Sequence, residues 1–189
     1  MRKLVAAINM TLDGFCDHTA VDPNEAIHQH YTDLLNSSGV ALYGRITYQL
    51  MEYWRPLVNH PTGKSSMDDF ASAINQIPKI VFSRTLKNVD WESAKLADQD
   101  IEAVVAALKN QPGNNILACS PSLIVTLTQL NLIDEYQICV HPVVAGSGLP
   151  LFKNIDKEIR LQLIKKKTFD SGPVILFYEP TKDTVLKTM

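Results

Sequence analysis

The chain has 189 residues, 46% of them hydrophobic and 20% charged, with a formal net charge of -2. That length suits one domain able to bury a core without disulfides or metal. The charge leaves no electrostatic footprint for nucleic acid, since the one basic run, Lys165-Lys166-Lys167, is too short to make one. No apolar stretch approaches a membrane span. The first ten residues look superficially like the start of a signal peptide. Asn9 interrupts their apolar run, however, and Asp13-Gly14 closes it, which predicts a core strand. Cys16, Cys119 and Cys139 form no CxxC pair, so reduced thiols and a cytoplasmic protein are expected.

In chain order, Lys3 to Met10 is apolar almost throughout and predicts a strand buried on both faces. Asp22-Pro23-Asn24-Glu25 predicts a helix start, with Asp22 as cap and Pro23 in the first turn; Ile27, Tyr31, Leu34 and Leu35 follow at helical spacing. Val40 to Tyr43 is a second strand, meeting Gly44-Arg45 at a second strand-to-helix turn. Ser66 and Asp69 predict a capping box for a helix that places Met67, Phe70, Ala71 and Ile74 on one face. Ile80 to Phe82 is a strand ending at Ser83-Arg84-Thr85, and Trp91 to Leu96 holds another. Ile101, Val104, Val105 and Leu108 predict a helix over 98–109. Glu135 to Val140 is a strand, and Ile159–Phe169 and Val174–Glu179 form an antiparallel pair turned at Asp170-Ser171-Gly172-Pro173.

The stretch from Asn115 to Leu123 organises the rest. Ile116-Leu117-Ala118 reads as a buried strand, and Ser120 and Pro121 suit the cap and first position of the helix that carries Leu123, Ile124, Leu127 and Leu130. A helix start directly after a strand aims free N–H groups and the positive end of the helix dipole at the space above the sheet, where a phosphate fits. An ordinary capped helix that binds nothing has the same pattern. Strands alternating with helices, then strands alone, mean an α/β domain with a mixed sheet. Ligands of such sheets lie beyond the carboxyl ends of the strands, so the polar turns at Asp13-Gly14, Gly44-Arg45, Ser83-Arg84 and Cys119-Ser120 should share one rim.

These turns resemble the dihydrofolate-reductase-like superfamily, in the branch typified by the C-terminal reductase domain of the bifunctional riboflavin-biosynthesis deaminase-reductases. The motifs are Gly44-Arg45-x-Thr47-Tyr48, Ser83-Arg84-Thr85-Leu86, Ser120-Pro121-Ser122-Leu123, Leu132 to Tyr136 and Val140 to Phe152. The resemblance implies a three-layer αβα fold with a mixed, mostly parallel sheet and a C-terminal antiparallel strand pair. It covers a single domain, 1–180, with 181–189 expected to be a loose tail. It also implies NADPH as cofactor, held at the adenosine end by Arg45, Thr47, Ser83 and Arg84. The central turn is implied to contribute through Gly44, Cys119, Ser120, Pro121, Ser122 and Leu123, and the opening strand through Ala7. The implied activity is hydride transfer to a small pterin- or pyrimidine-like substrate, of the dihydrofolate reductase or 5-amino-6-(5-phosphoribosylamino)uracil reductase type. The implied partners are that small molecule and a second copy of the chain, with Val174 to Phe177 suited to the dimer contact. The alternative is a nucleotide- or metabolite-binding module of the same fold without turnover, or a dimeric scaffold that binds no dinucleotide.

The chain departs from the family in one respect. Ala118-Cys119-Ser120 stands where one or two glycines are usual, so Cys119 is expected to crowd the dinucleotide and weaken its binding. For the proton that accompanies hydride transfer the candidates are Glu25 and His28, placed to share a helix face, and Asp13 in the loop after the first strand. Each also has a simpler job, Glu25 in the helix start and Asp13 in the turn. Cys16, Asp17, His18, His28 and His30 match no standard metal spacing, so no metal is expected. His141-Pro142 reads as a loop former, and Met51, Tyr53 and Trp54 as the inner face of a helix.

Overall fold

The computed structural model describes residues 1–21 and 24–181. The expected cap and first-turn residues, Asp22 and Pro23, and all but the first residue of the expected tail lie outside them. Eight strands form one sheet: β1 (Leu4–Thr11), β2 (Ser38–Gly44), β3 (Lys79–Phe82), β4 (Ala94–Leu96), β5 (Asn115–Ala118), β6 (Glu135–His141), β7 (Leu161–Thr168) and β8 (Val174–Pro180). Their order across the sheet is β4-β3-β2-β5-β1-β6-β8-β7. Neighbours from β4 to β6 pair in parallel, whereas β8 runs antiparallel to both β6 and β7. The mixed sheet with its antiparallel end is the architecture that the alternation of elements predicts.

Among the described residues five α-helices cover the two faces: α1 (Glu25–Asn36), α2 (Arg45–Met51), α3 (Ser65–Gln76), α4 (Ile101–Lys109) and α5 (Pro121–Gln129). Strand alternation sorts the core. Leu4, Ala6, Ile8, Leu42, Ile116 and Ala118 face α4 and α5, where Val105, Ile124 and Leu127 are buried. Val5, Ala7, Ala41, Tyr43 and Leu117 face the other way, toward Leu35 of α1 and Ile74 of α3. Because β1 lies between two parallel strands and under helices on both faces, its apolar run has no wet side. Asp134 anchors the start of β1: its Oδ2 accepts the Leu4 N–H at 2.7 Å and pairs with Lys109 Nζ at 2.5 Å.

Several boundaries differ from the sequence reading for local reasons. The α1 cap is Asn24, whose Oδ1 accepts the Ile27 N–H at 3.1 Å. The predicted Ser66–Asp69 box does not form. Ser66 is buried in the first turn of α3, and Asp68 instead gathers the Thr62 N–H and hydroxyl and the Gly63 N–H of the preceding loop. β4 keeps only the last three residues of its expected span, as Trp91 turns into the core. The expected dimer strand is interior: β8 is paired along both edges, and its Ile175 and Phe177 pack with Ile27 and Cys139. The edge strand beside it is β7, exposed along almost all its length. Thr181 is tied down, its N–H bonding to the Arg160 carbonyl at 2.9 Å.

Candidate functional site

Because β1, β2, β3, β5 and β6 are parallel, their carboxyl ends lie on one edge of the sheet. The order β3-β2-β5 puts Ser83-Arg84, Gly44-Arg45 and Cys119-Ser120 on consecutive strand ends. Ser120 is 1% exposed and occupies the cap position of α5, yet its hydroxyl does not cap. Its Oγ reaches across to β2 and accepts the Gly44 N–H at 2.8 Å. The same bond ties the first turn of α5 to the first turn of α2. A Cβ added at Gly44 would lie 3.3 Å from Ser122 Oγ and 3.8 Å from Ser120 Oγ, so the missing side chain lets the two turns close up.

Neither α2 nor α5 has a side-chain cap. Their first-turn N–H groups, from Ile46 and Thr47 and from Ser122 and Leu123, face the rim without a side-chain acceptor. Two dipole ends side by side favour an anion. Arg45 and Arg84 are exposed at this edge, Arg45 Nη1 resting on Gln49 Oε1 at 3.2 Å. Ser83 folds its own turn, its Oγ accepting the Leu86 N–H at 2.9 Å and the Thr85 N–H at 3.2 Å. Thr47 is half-buried in α2, Pro121 opens α5, and the Leu123 side chain belongs to the core, leaving only its backbone for a ligand. Gly44 and Ser120 thus form the seam between two sets of backbone donors, with Arg45 and Arg84 exposed at the same sheet edge.

Cys119 behaves differently from expectation. The positive-φ residues other than glycine, among those described, are Asn131 and Asn154, so the Cys119 backbone needs no glycine. Its side chain follows β5 alternation onto the α1 face and packs beside the Tyr43 cluster. Loss of solvent pushes its thiol up to about 12. The half-buried thiol therefore lies against the α1 side of the sheet, beside the Tyr43 cluster.

The three proton candidates are not brought together. Asp13 receives the Thr11 hydroxyl at 2.6 Å, the Ala145 N–H at 3.1 Å and the Gly146 N–H at 2.7 Å. These donors hold its pKa down to about 2, making it an ionised clamp and a poor proton donor. Gly146 takes φ of +74° to present its N–H, a conformation that suits glycine. Further bonds zip the same loops together, from Leu12 N–H to the Val143 carbonyl at 2.8 Å and from Leu149 N–H to Asp17 Oδ2 at 2.5 Å. Glu25 is exposed and lines a cavity of about 410 Å³ with Asn24, Phe169 and Ser171. His28 instead packs against Trp54 and Phe70, with ring centroids 5.8 and 5.7 Å away. The shared face expected for the two is thus divided between different neighbours. Ala7 is fully buried on the α1 face of β1, in register with Gln137 of β6.

Two residues at this end of the sheet escaped the sequence reading. His141 closes β6 rather than shaping a loop, and its Nε2 lies 3.0 Å from Asn9 Oδ1 and 3.6 Å from Cys139 Sγ. The signal was present in the polar Asn9 that breaks an apolar strand, but its partner is 132 residues away. Among the described residues no three His, Cys, Asp or Glu side chains converge as a metal site, and Cys16 and Asp17 are both engaged by Leu149. No described helix is long and apolar enough to cross a membrane.

Comparison with known proteins bears on this geometry. The family model for the RibD C-terminal domain matches residues 2–175. The uncharacterised protein YyaP of Bacillus subtilis is 33% identical over 185 residues, which cover 94% of each chain. The crystal structure of a pyrimidine reductase-like protein from Corynebacterium diphtheriae superposes with a TM-score of 0.65 at 13% identity, covering 96% of this chain and 93% of that one. A dihydrofolate reductase from Enterococcus faecalis, complexed with NADP(H) and RAB-propyl, gives 0.63 at 14% identity, covering 95% and 96%. The last two likenesses establish the dihydrofolate-reductase-like fold.

Proposed function

The chain belongs to the RibD C-terminal domain family, and from that premise we propose that it is an NADPH-dependent reductase acting on a small pyrimidine- or pterin-like heterocycle. What carries this reading is the seam between α2 and α5, where the Ser120–Gly44 bond holds two uncapped helix starts together beside Arg45 and Arg84. Backbone N–H groups would take the pyrophosphate and the guanidinium forks the 2′-phosphate, through charge-assisted, bidentate bonds. NADPH supplies the hydride when bound; the chain's task is to orient it and exclude water. The loop from 11 to 17, zipped to 143–151, would form a preset wall rather than a swinging lid.

A second reading, binding without turnover, is favoured by one observation: Asp13 is committed to a loop, while Glu25 and His28 face different neighbours. Titration with NADPH and NADH separates the possibilities, followed by NADPH oxidation against a panel of pterins, pyrimidines, flavins and quinones. Turnover on any of them with a preference for the phosphorylated cofactor supports the reductase; binding with none supports the second reading. No NADPH binding at millimolar concentration removes the reductase and points to a dimeric scaffold that binds no dinucleotide. For the homodimer we propose the β7 side as the contact, because Leu163 and Ile164 are 48% and 46% exposed there. Light scattering checks this, and a monomer throughout the micromolar range would remove the dimer.

A further inference from the structure

The α1 face of the sheet carries a polar pair that the phosphate rim does not use. Along β1, Val5, Ala7, Asn9 and Thr11 share this face, and Asn9 is the half-buried amide among them, in register with Cys139 of β6. His141, 4% exposed, lies next to it at the end of β6. A carboxamide by itself is ambiguous, because rotation by half a turn exchanges acceptor for donor. Here the oxygen faces His141 Nε2 at 3.0 Å, which requires the ring to carry its proton on that nitrogen. Burial lowers the pKa of His141, which keeps the ring neutral. With the oxygen pinned, Asn9 Nδ2 turns its two N–H donors away from the ring, and among the described residues they meet no acceptor.

Asn9 lies two residues beyond Ala7 and two before the end of β1, on the flank of the sheet edge where α/β folds seat their ligands. We propose that Asn9 donates from Nδ2 to a ring carbonyl of the substrate, so that the site selects an oxo-substituted over an amino-substituted pyrimidine or pterin, with His141 as the residue that positions the amide. This rests on the reductase reading for its location in the substrate cleft. A ring amine opposite Asn9 would set donor against donor and leave both unpaired, which costs far more than a lost contact. His141 acts through Asn9 and touches no reacting atom.

The test uses two probes that differ at one position, 6-methylpterin with its 4-oxo group and 2,4-diamino-6-methylpteridine, titrated against the full chain with and without NADP⁺. The parent should prefer the oxo probe by about ten-fold or more. Asn9→Asp, close in shape but without the donors, should level or reverse that ratio, and His141→Phe should reduce it by freeing the amide to turn. Equal affinities in the parent, an unchanged ratio in Asn9→Asp, or failure of both probes to bind would each overturn the inference. NADPH binding is measured on the same samples. An unchanged ratio with normal NADPH binding ends the inference and leaves the reductase reading standing. A shifted ratio in a chain that does not bind NADPH ends the reading and leaves Asn9 as a heterocycle-selecting residue.

Discussion

Helices α4 and α5 make a controlled pair. Both are nine residues long, both pack on the same face of the sheet, and both begin with a residue whose side-chain oxygen suits a cap. In α4 that oxygen behaves as the sequence suggests, Asp100 Oδ1 accepting the Ala103 N–H at 2.8 Å. In α5 the Ser120 oxygen is taken by the Gly44 N–H of a strand 76 positions away, at the same 2.8 Å. The first helix start is finished and inert; the second stays open to an anion. Two residues that each offer a side-chain oxygen at a helix start therefore yield a closed cap in one place and an uncapped start in the other, and the tertiary neighbour Gly44 decides which.

The comparison breaks most visibly if the open start is not where phosphate binds. Removing both guanidiniums, Arg45→Ala with Arg84→Ala, should weaken NADPH by about a hundred-fold and NADH much less, taking about 1.5–3 kcal/mol per charge-assisted bond and discounting for exposure. Equal loss for both cofactors in a fluorescence titration would place the 2′-phosphate elsewhere. Next in size, Ser120→Ala should lower stability by about 1–3 kcal/mol, because it strands the buried Gly44 N–H, and should loosen NADPH as well. Asp100→Ala should cost only about 1 kcal/mol, as the loss of a helix cap, and leave NADPH binding untouched. Denaturant melts with NADPH titrations on both variants test the contrast. Matching effects on cofactor would dissolve it.

Cys119→Gly sharpens the point further. With the thiol turned to the core, the variant should lose about 1–2 kcal/mol of stability through lost packing and a freer unfolded chain. A gain in NADPH affinity, measured in the same titration, would restore the crowding explanation. The smallest effect concerns Asp13. Its folded pKa, about 2, lies below the ordinary 3.8, so its contribution is present above about pH 4 and fades as pH falls toward 2. Asn at this position should flatten that part of the acid-unfolding curve, whereas a curve unchanged from the parent would mean the clamp adds nothing.

The fold was largely legible because its signals are local. An apolar run like Val5 to Ile8 has no wet face to offer, and Ile101, Val104, Val105 and Leu108 can share a stripe only as a helix. Parallel strands then send the turns at Gly44, Ser83 and Ser120 to one edge whatever the side chains do. Caps and partners were not legible in the same way. A serine or aspartate before a helix has an oxygen to give, and which N–H takes it depends on the groups that folding brings near. So Ser120 went to Gly44, Asp69 took the Ser65 hydroxyl rather than pairing with Ser66, and Asp13 closed on Ala145 and Gly146. Local patterning was enough to read the elements, their period and the sheet edge that gathers the strand-end turns. Which donors stay free there, and that Asn9 meets His141, depended on folding, because hydrogen bonds act over about 3 Å while their partners here are far apart along the chain.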